Sequence, residues 1–321
     1  MPNAPLLPDL TARARTVAHP SRPAGSCACG SATLSDRPDA TVVRHGDTVA
    51  KAHAPGTDPA DLTARLAVAA RLPGLLLPPL GPTPAPLHGR LVTSWPYGTP
   101  VDPDDPEAAP WEAAGTLLAR LHRTPVASWG TVPPMRGPEK AARAVAVLRA
   151  AALRHPATGP VLTAWTTLPA WARAEAPAPG APALCHGDLH LGQLVRHPAP
   201  DGPWRLIDVD DLGTGVPAWD LARPAAWYAC GLLPPEDWLR FLTAYRAADG
   251  PAVPPDAPGG HGDPWPALDV PARTLTVQSA ARAVTKAAAA GRPLDEVERS
   301  LVDACARMGS LPPPLAVPAT P

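Results

Sequence analysis

The stretch from Leu184 to Ala222 constrains this chain more than any other. Two apolar, strand-like runs stop on acids within it. The first, Ala183 to Cys185, leads into His186-Gly187-Asp188-Leu189-His190. The second, Trp204-Arg205-Leu206-Ile207, leads into Asp208, Asp210 and Asp211. Pro200-Asp201-Gly202-Pro203 between them is turn chemistry, with proline fixing φ and glycine and aspartate tolerating the bend. The pair reads as a hairpin-like unit that brings Asp188, Gln193 and Asp208 to one end. An ordinary hairpin with solvated acids explains one of these aspartates but not the ordered series.

That series suits phosphoryl transfer. A carboxylate is needed to orient the attacking hydroxyl, and oxygen ligands are needed to hold magnesium against the phosphates. Magnesium takes one or two carboxylates and completes its shell with water and phosphate oxygens. On this reading Asp188 is the catalytic base, Gln193 the neutral metal ligand and Asp208 the charged one. Asparagine occurs only at Asn3 and glutamine only twice, so background composition does not account for Gln193.

The loop His186 to His190 followed by Gln193, and then Ile207-Asp208 through Asp211, Gly213, Gly215, Pro217 and Asp220-Leu221-Ala222, resembles the aminoglycoside phosphotransferase/choline kinase family. Its members show an HGDLHxxN-type loop and an IDxxDxxxGxPxxDLA-type segment. Gln193 stands where asparagine is usual, and the HGDLHLGQ run is similar to that of bacterial maltokinases. The resemblance implies a two-lobed, protein-kinase-like α+β fold, with a small antiparallel sheet lobe and a larger, mostly helical lobe. It implies ATP and Mg2+ as cofactors and transfer of the γ-phosphoryl group to a hydroxyl of a small molecule. Asp220 opens a helix and reads as a scaffold acid that holds the catalytic-loop backbone, as the resemblance also implies. His186 and His190 read as residues that shape the loop.

Upstream, Thr41 to His53 reads as a hairpin around His45-Gly46-Asp47. Lys51 lies on its second strand. The chain has only three lysines, Lys51, Lys140 and Lys286, in a background of arginine, so a lysine here carries information. It is expected to contact the α/β-phosphates, where a compact ammonium fits better than a planar fork. Asp58 to Leu72 reads as an amphipathic helix with Asp58 as N-cap and Pro59 at its first position. A glutamate partner for Lys51 is missing from it. Asp61 is its only interior acid, and a plain dipole-complementing role competes with pairing to Lys51. Arg90 to Trp95 reads as a strand; the resemblance implies that it leads into the link between lobes, where the backbones of Ser94 and Trp95 are candidates for adenine binding. Ala24 to Ala32 is where a phosphate-covering turn would lie, although a GxGxxG is missing.

The expected organisation is a loosely ordered tail over 1–24, a nucleotide-binding lobe over 25–97, a catalytic and substrate lobe over 98–310, and a proline-rich tail over 311–321. Helices are expected over 107–123, 139–154, 161–174, 217–230, 235–247, 270–290 and 294–308. The proline/glycine-rich loop 250–266 is the kind that shapes an acceptor pocket.

The formal net charge of −1, from 28 basic and 29 acidic residues, gives no nucleic-acid footprint and no basic membrane-binding run. The most apolar run, Leu72 to Leu80, is broken by prolines and too short to span a bilayer. Five cysteines and no recognisable leader point to a reducing, cytoplasmic setting. Cys27 and Cys29 form a CxC, expected to be ordinary thiols because no second pair stands at zinc spacing. The acceptor is open. An aminoglycoside would call for acids such as Glu236, Asp237, Asp256, Asp263 and Asp269, whereas Gln193 favours a sugar or other metabolite. A kinase fold that binds nucleotide or a partner without turnover is the alternative of another class. Oligomeric state is not legible.

Overall fold

The structure, a computed structural model, describes residues 6–21, 27–126, 131–151, 154–180, 182–255 and 262–309. The chain divides into two compact units. The first takes the chain up to Ala109, a short stretch ending at Pro133, and Leu191–Asp210; the second takes the rest.

In the first unit, helix α1 (Leu6–Ala18) precedes strands β1 (Ser31–Asp36), β2 (Thr41–His45) and β3 (Thr48–Ala52), helix α2 (Pro59–Arg71), and strands β4 (Ala85–Leu87) and β5 (Arg90–Pro96). The strands form an antiparallel sheet in the order β1-β2-β3-β5-β4. In β2 every second residue is buried, as a pleated strand with one face on a core requires. The β2–β3 connection is the two-residue turn Gly46-Asp47, with Gly46 at φ +56°. Helix α2 starts as its sequence indicates: the Asp58 carboxylate accepts the backbone N–H groups of Ala60 and Asp61.

The N-terminal segment departs from expectation. Residues 1–24 read as loosely ordered, yet α1 lies on β2 and β3. Leu6, Leu10 and Ala14 pack with Val43, Ala50, Ala52 and Val92. The i, i+4, i+8 spacing of those three residues gives a narrow apolar stripe, enough to dock one helix on one sheet face. Residues 1–5, and the tail 311–321, lie outside the described residues.

A second, three-stranded sheet of this unit runs β6 (Thr99–Pro100), β8 (Leu194–Arg196), β9 (Trp204–Leu206). It corrects two expectations. Residues 191–210 belong with the first unit rather than with 98–310, because β8 pairs with β6 and Leu206 bonds to Leu75 and Leu77. The hairpin across the 197–203 turn is β8–β9. The run Ala183–Cys185 instead forms β7, paired with β10 (Gly213–Gly215) in the second unit.

The second unit also carries helices α3 (Trp111–His122), α4 (Gly137–Ala150), α5 (Thr158–Thr167), α6 (Ala218–Ala229), α7 (Pro235–Ala247), α8 (Trp265–Ala289) and α9 (Glu296–Met308). Its core includes Leu148, Val161, Trp165, Val277, Val284, Leu301 and Cys305. Helix α3 packs directly on α7. A Cβ added at Gly115 would stand 2.3 Å from the Phe241 carbonyl oxygen, so the two backbones meet where no side chain fits. Among the described residues no helix is long and apolar enough to cross a membrane.

Candidate functional site

The functional side chains of the first unit gather around Lys51. Its buried ammonium donates to Asp208 Oδ1 at 2.6 Å and lies 3.0 Å from Asp210 Oδ2. Two residues along β3, His53 Nδ1 is 2.7 Å from Asp210 Oδ1, and its Nε2 is 2.8 Å from Thr93 Oγ1. A carboxylate only accepts, so Nδ1 donates to Asp210, and Nε2 shares a hydrogen bond with the Thr93 hydroxyl. The Trp95 indole N–H donates to the same hydroxyl oxygen at 2.8 Å. A continuous hydrogen-bonded chain thus runs from Trp95 through Thr93, His53 and Asp210 to Lys51.

Asp208 is placed by an uncommon backbone. It follows β9 at φ +66°, a left-handed conformation that aspartate tolerates better than most residues. Its carboxylate also accepts the Asp210 N–H at 3.2 Å, closing a tight turn of acids. Gln193 ends a single 3-10 turn, Leu191–Gln193, and is buried. Its carbonyl accepts the Ile207 N–H at 2.9 Å, which sets Gln193 beside the Ile207-Asp208 step.

Burial opposes the charge on Lys51, but Asp208 and Asp210 outweigh it and hold the ammonium above its ordinary value. Burial would raise the Asp210 carboxyl. Lys51 and His53 overcome this and hold it well below the usual carboxylate range. Two carboxylates against one ammonium leave a negative, oxygen-donating cluster, and the backbone of Gln193 is bonded to the residue before Asp208. Hard oxygen donors of that kind fit magnesium.

The other residues singled out in the sequence are placed as follows. The acid partners of Lys51 are Asp208 and Asp210. Asp61 on α2 instead faces Arg65, 3.9 Å away, because the ammonium is already satisfied by the turn after β9. The Ser94 carbonyl accepts the Leu80 N–H at 2.8 Å, and Trp95 is packed and tied to Thr93. The β1–β2 connection is Arg37–Ala40, without glycine. Of the stretch 24–32, residues 24–26 lie outside the described residues, and Cys27 and Cys29 stand beside histidines: Cys27 Sγ is 3.1 Å from His45 Nε2 and Cys29 Sγ 3.3 Å from His19 Nε2.

Asp188 belongs to the second unit, where it is gripped by cations. Lys140 Nζ donates to its Oδ2 at 2.8 Å and Arg223 Nη2 to its Oδ1 at 2.5 Å. Lys140 also donates to Asp211 Oδ2 at 2.5 Å, and Arg136 Nε to Asp211 Oδ1 at 2.9 Å. Burial raises the Asp188 carboxyl, but Lys140 and Arg223, with a smaller contribution from His190, bring it down to about 2. Sequence reasoning missed Lys140, Arg223 and Arg136. The rarity of lysine that singled out Lys51 applied equally to Lys140.

The loop carrying Asp188 is held from behind by Asp220. The buried Asp220 carboxylate accepts the backbone N–H of His186 at 2.6 Å and that of Gly187 at 2.7 Å, and His122 Nε2 donates to it at 3.0 Å. His122 Nδ1 accepts from the Tyr245 hydroxyl at 2.8 Å, and Tyr245 Oη accepts the Ala252 N–H at 3.0 Å. Gly187 is required on two counts. It sits at φ +85°, and an added Cβ would fall 2.3 Å from the Asp211 carbonyl oxygen. His186 is fully buried in this loop and His190 follows Asp188 by two residues.

Three of the five acids weighed for a polycationic acceptor are engaged with near neighbours. Asp237 pairs with Arg240 at 2.9 Å and Asp269 with Arg273 at 2.8 Å, while Asp263 accepts the Trp265 N–H at 3.0 Å. Glu236 is exposed on the first turn of α7, and Asp256 lies outside the described residues.

The sequence matches the model of the phosphotransferase enzyme family over residues 35–262. No curated protein matches it. Among solved structures, a choline/ethanolamine kinase family protein from Mesorhizobium loti superimposes with a TM-score of 0.56 at 18% identity, over 92% of each chain. A macrolide 2'-phosphotransferase from Brachybacterium faecium gives 0.51 at 19% identity, over 94% of this chain and 99% of that one. A spectinomycin phosphotransferase solved with ADP and spectinomycin gives 0.55 at 12% identity, over 89% and 90%. Each is a likeness of fold.

Proposed function

The chain belongs to the phosphotransferase enzyme family and is a small-molecule phosphotransferase; on that premise we propose that it moves the γ-phosphoryl group of magnesium-bound ATP to a hydroxyl of a neutral or anionic acceptor. The observation that carries the donor half is the Lys51–Asp208–Asp210 cluster beside Gln193. Asp208 and Gln193 would hold the ion, and Lys51 would meet the phosphates. Magnesium, when bound, neutralises charge on the phosphoryl oxygens. Trp95 and Ser94 would serve the nucleotide through β5, Trp95 by fixing Thr93 and His53.

Asp188 is the residue assigned to the acceptor hydroxyl. Held at about 2, its carboxyl is ionised at neutral pH and is a weak base. Its work is to accept the hydroxyl hydrogen bond, fix the direction of attack and take the proton late. A loose phosphoryl-transfer transition state asks for little more. Asp220 keeps the His186-Gly187 backbone, and so Asp188, in place.

Lys140 and Arg223 flank Asp188, with Arg136 on the adjoining Asp211. A polycation would be repelled there, whereas a hydroxyl compound that is neutral or carries a carboxylate or phosphate would not. This favours a sugar-like or hydroxy-acid metabolite over an aminoglycoside.

The test is ATP consumption with aminoglycosides, macrolides, peptide antibiotics, sugars, amino alcohols and hydroxy acids, for wild type, Asp188→Asn and Asp208→Ala. Turnover is expected with neutral or anionic hydroxyl compounds. Asp188→Asn should lower kcat by about 10²–10⁴-fold with nucleotide affinity kept, as loss of general-base assistance predicts. Asp208→Ala should abolish magnesium-dependent turnover. An aminoglycoside as best acceptor would refute the polarity argument. Nucleotide binding without transfer to any acceptor would favour the non-catalytic alternative.

A further inference from the structure

Apart from the residues assigned to phosphoryl transfer, the first unit carries a second set of converging donors. His19 follows the last turn of α1, Cys27 and Cys29 lead into β1, and His45 ends β2. These positions are separated in sequence by no recognised zinc spacing, yet the fold closes them on one another. Cys27 Sγ is 3.1 Å from His45 Nε2, and Cys29 Sγ is 3.3 Å from His19 Nε2. One ligand atom from each residue lies within 4.8 Å of all the others.

We propose that His19, Cys27, Cys29 and His45 form a structural zinc site. Zinc bound by two thiolates and two imidazoles has Zn–S near ~2.3 Å and Zn–N near ~2.0–2.1 Å. Tetrahedral angles then put neighbouring sulfur and nitrogen atoms about 3.6 Å apart. The two sulfur–nitrogen distances, 3.1 and 3.3 Å, lie within about half an ångström of that. Four protein donors close the shell, which is the pattern of a structural rather than a catalytic site, and the mixed sulfur and nitrogen donors select zinc over magnesium or calcium.

The surroundings support the donor geometry. His45 Nδ1 is engaged with Ser31 Oγ at 2.8 Å, which fixes the ring and turns Nε2 toward the sulfurs. This is the outer hydrogen bond that metal-ligating histidines regularly make. The His19 and His45 rings stand at 90°, with centroids 5.5 Å apart. The Gly46 N–H donates to the Gly30 carbonyl at 3.1 Å and holds the Cys29-Gly30 step against the β2–β3 turn. Burial is graded from the fully buried His45 to the exposed Cys29, so an ion has a route in.

Binding would release the two thiol protons and leave a site without net charge, Zn2+ balanced by two thiolates. It would tie the end of α1 to the sheet whose β3 bears Lys51. The narrow stripe of Leu6, Leu10 and Ala14 is a small anchor for a helix, and a metal at its end supplies a second one.

The experiment uses the full chain, free of a polyhistidine tag and purified under reducing conditions without chelator. One zinc per chain is expected by mass spectrometry in wild type and none in the Cys27→Ser/Cys29→Ser double variant. Asp208→Ala should retain its zinc, which separates this site from the magnesium ligands. Cobalt added to metal-free wild type should give the visible bands of a tetrahedral complex with a thiolate charge-transfer band, bleached by zinc. That measurement needs no variant to fold. Chelation should lower the thermal midpoint and speed amide exchange in α1. Wild type that takes up neither zinc nor cobalt when reduced, a cobalt spectrum lacking the thiolate band, or zinc retained by the double variant would each overturn the proposal. So would a Cys27–Cys29 disulfide that persists under the reducing conditions of the purification and excludes metal.

Discussion

Replacing Asp220 by asparagine tests how the Asp188 loop is held. The wild-type carboxylate receives three donors, the His186 and Gly187 amides and His122 Nε2, with 1% of the residue exposed. An asparagine has one accepting oxygen. If that oxygen faces His186 and His122, the amide NH2 points at the Gly187 N–H. If it faces Gly187, the NH2 meets the His186 N–H, and His122 can be accommodated only by a change of tautomer. Either way one loop amide is left facing a donor. A buried donor without an acceptor costs about 1–3 kcal/mol, and hydrogen bonds to a charged acceptor are roughly twice as strong as neutral ones. The expected destabilisation is therefore about 3–5 kcal/mol. Displacement of the loop should act on catalysis as well, since a shift of about 1 Å can lower the rate by about 100-fold. Urea unfolding, amide exchange over 184–190 and kcat for the best acceptor are the measurements. Stability within about 1 kcal/mol of wild type, together with unchanged exchange at His186 and Gly187, would refute the argument.

Lys140→Met should weaken the protein by about 1–3 kcal/mol at neutral pH, because Asp188 and Asp211 lose a shared, partly buried cation. The Asp188 carboxyl is depressed in the folded chain, so its paired form contributes stability that is fully present above the unfolded value near ~3.9 and is lost as pH falls through about 2. The gap between wild type and variant in urea unfolding should accordingly narrow below about pH 4; a gap that widens in acid would contradict this. Lys51→Ala and Lys51→Arg should each raise the KM for ATP about tenfold or more. The alanine leaves Asp208 and Asp210 without their cation, and the arginine fork does not fit the compact position between them. Unchanged nucleotide kinetics in both would remove Lys51 from the site.

What the sequence determined on its own is what neighbouring residues decide among themselves. The Asp58 cap, the β2–β3 hairpin around Gly46 and the span Pro235–Ala247 of α7 all depend on hydrogen bonds and periodicity within a few residues, and all were legible. The ordered pattern of Asp188, Gln193, Asp208 and Asp220 was legible as a motif, through its resemblance to the family whose model the chain matches. Gly187 could be recognised as part of the pattern, but the reason for it, the carbonyl of Asp211 pressed against its Cα, lies outside the pattern. The tertiary structure alone decided that Ala183–Cys185 pairs with Gly213–Gly215 and not with the nearer Trp204–Leu206, because strand pairing answers to the edges available in the folded unit. It also decided that Lys51 meets Asp208 across 157 positions and that Lys140 meets Asp188 across 48. It made an anchored helix of Leu6–Ala18 and a donor set of His19, Cys27, Cys29 and His45. A charge, a thiol or a three-residue apolar stripe has no local periodicity to betray its partner, and its energy is realised only when the fold carries that partner within a few ångströms.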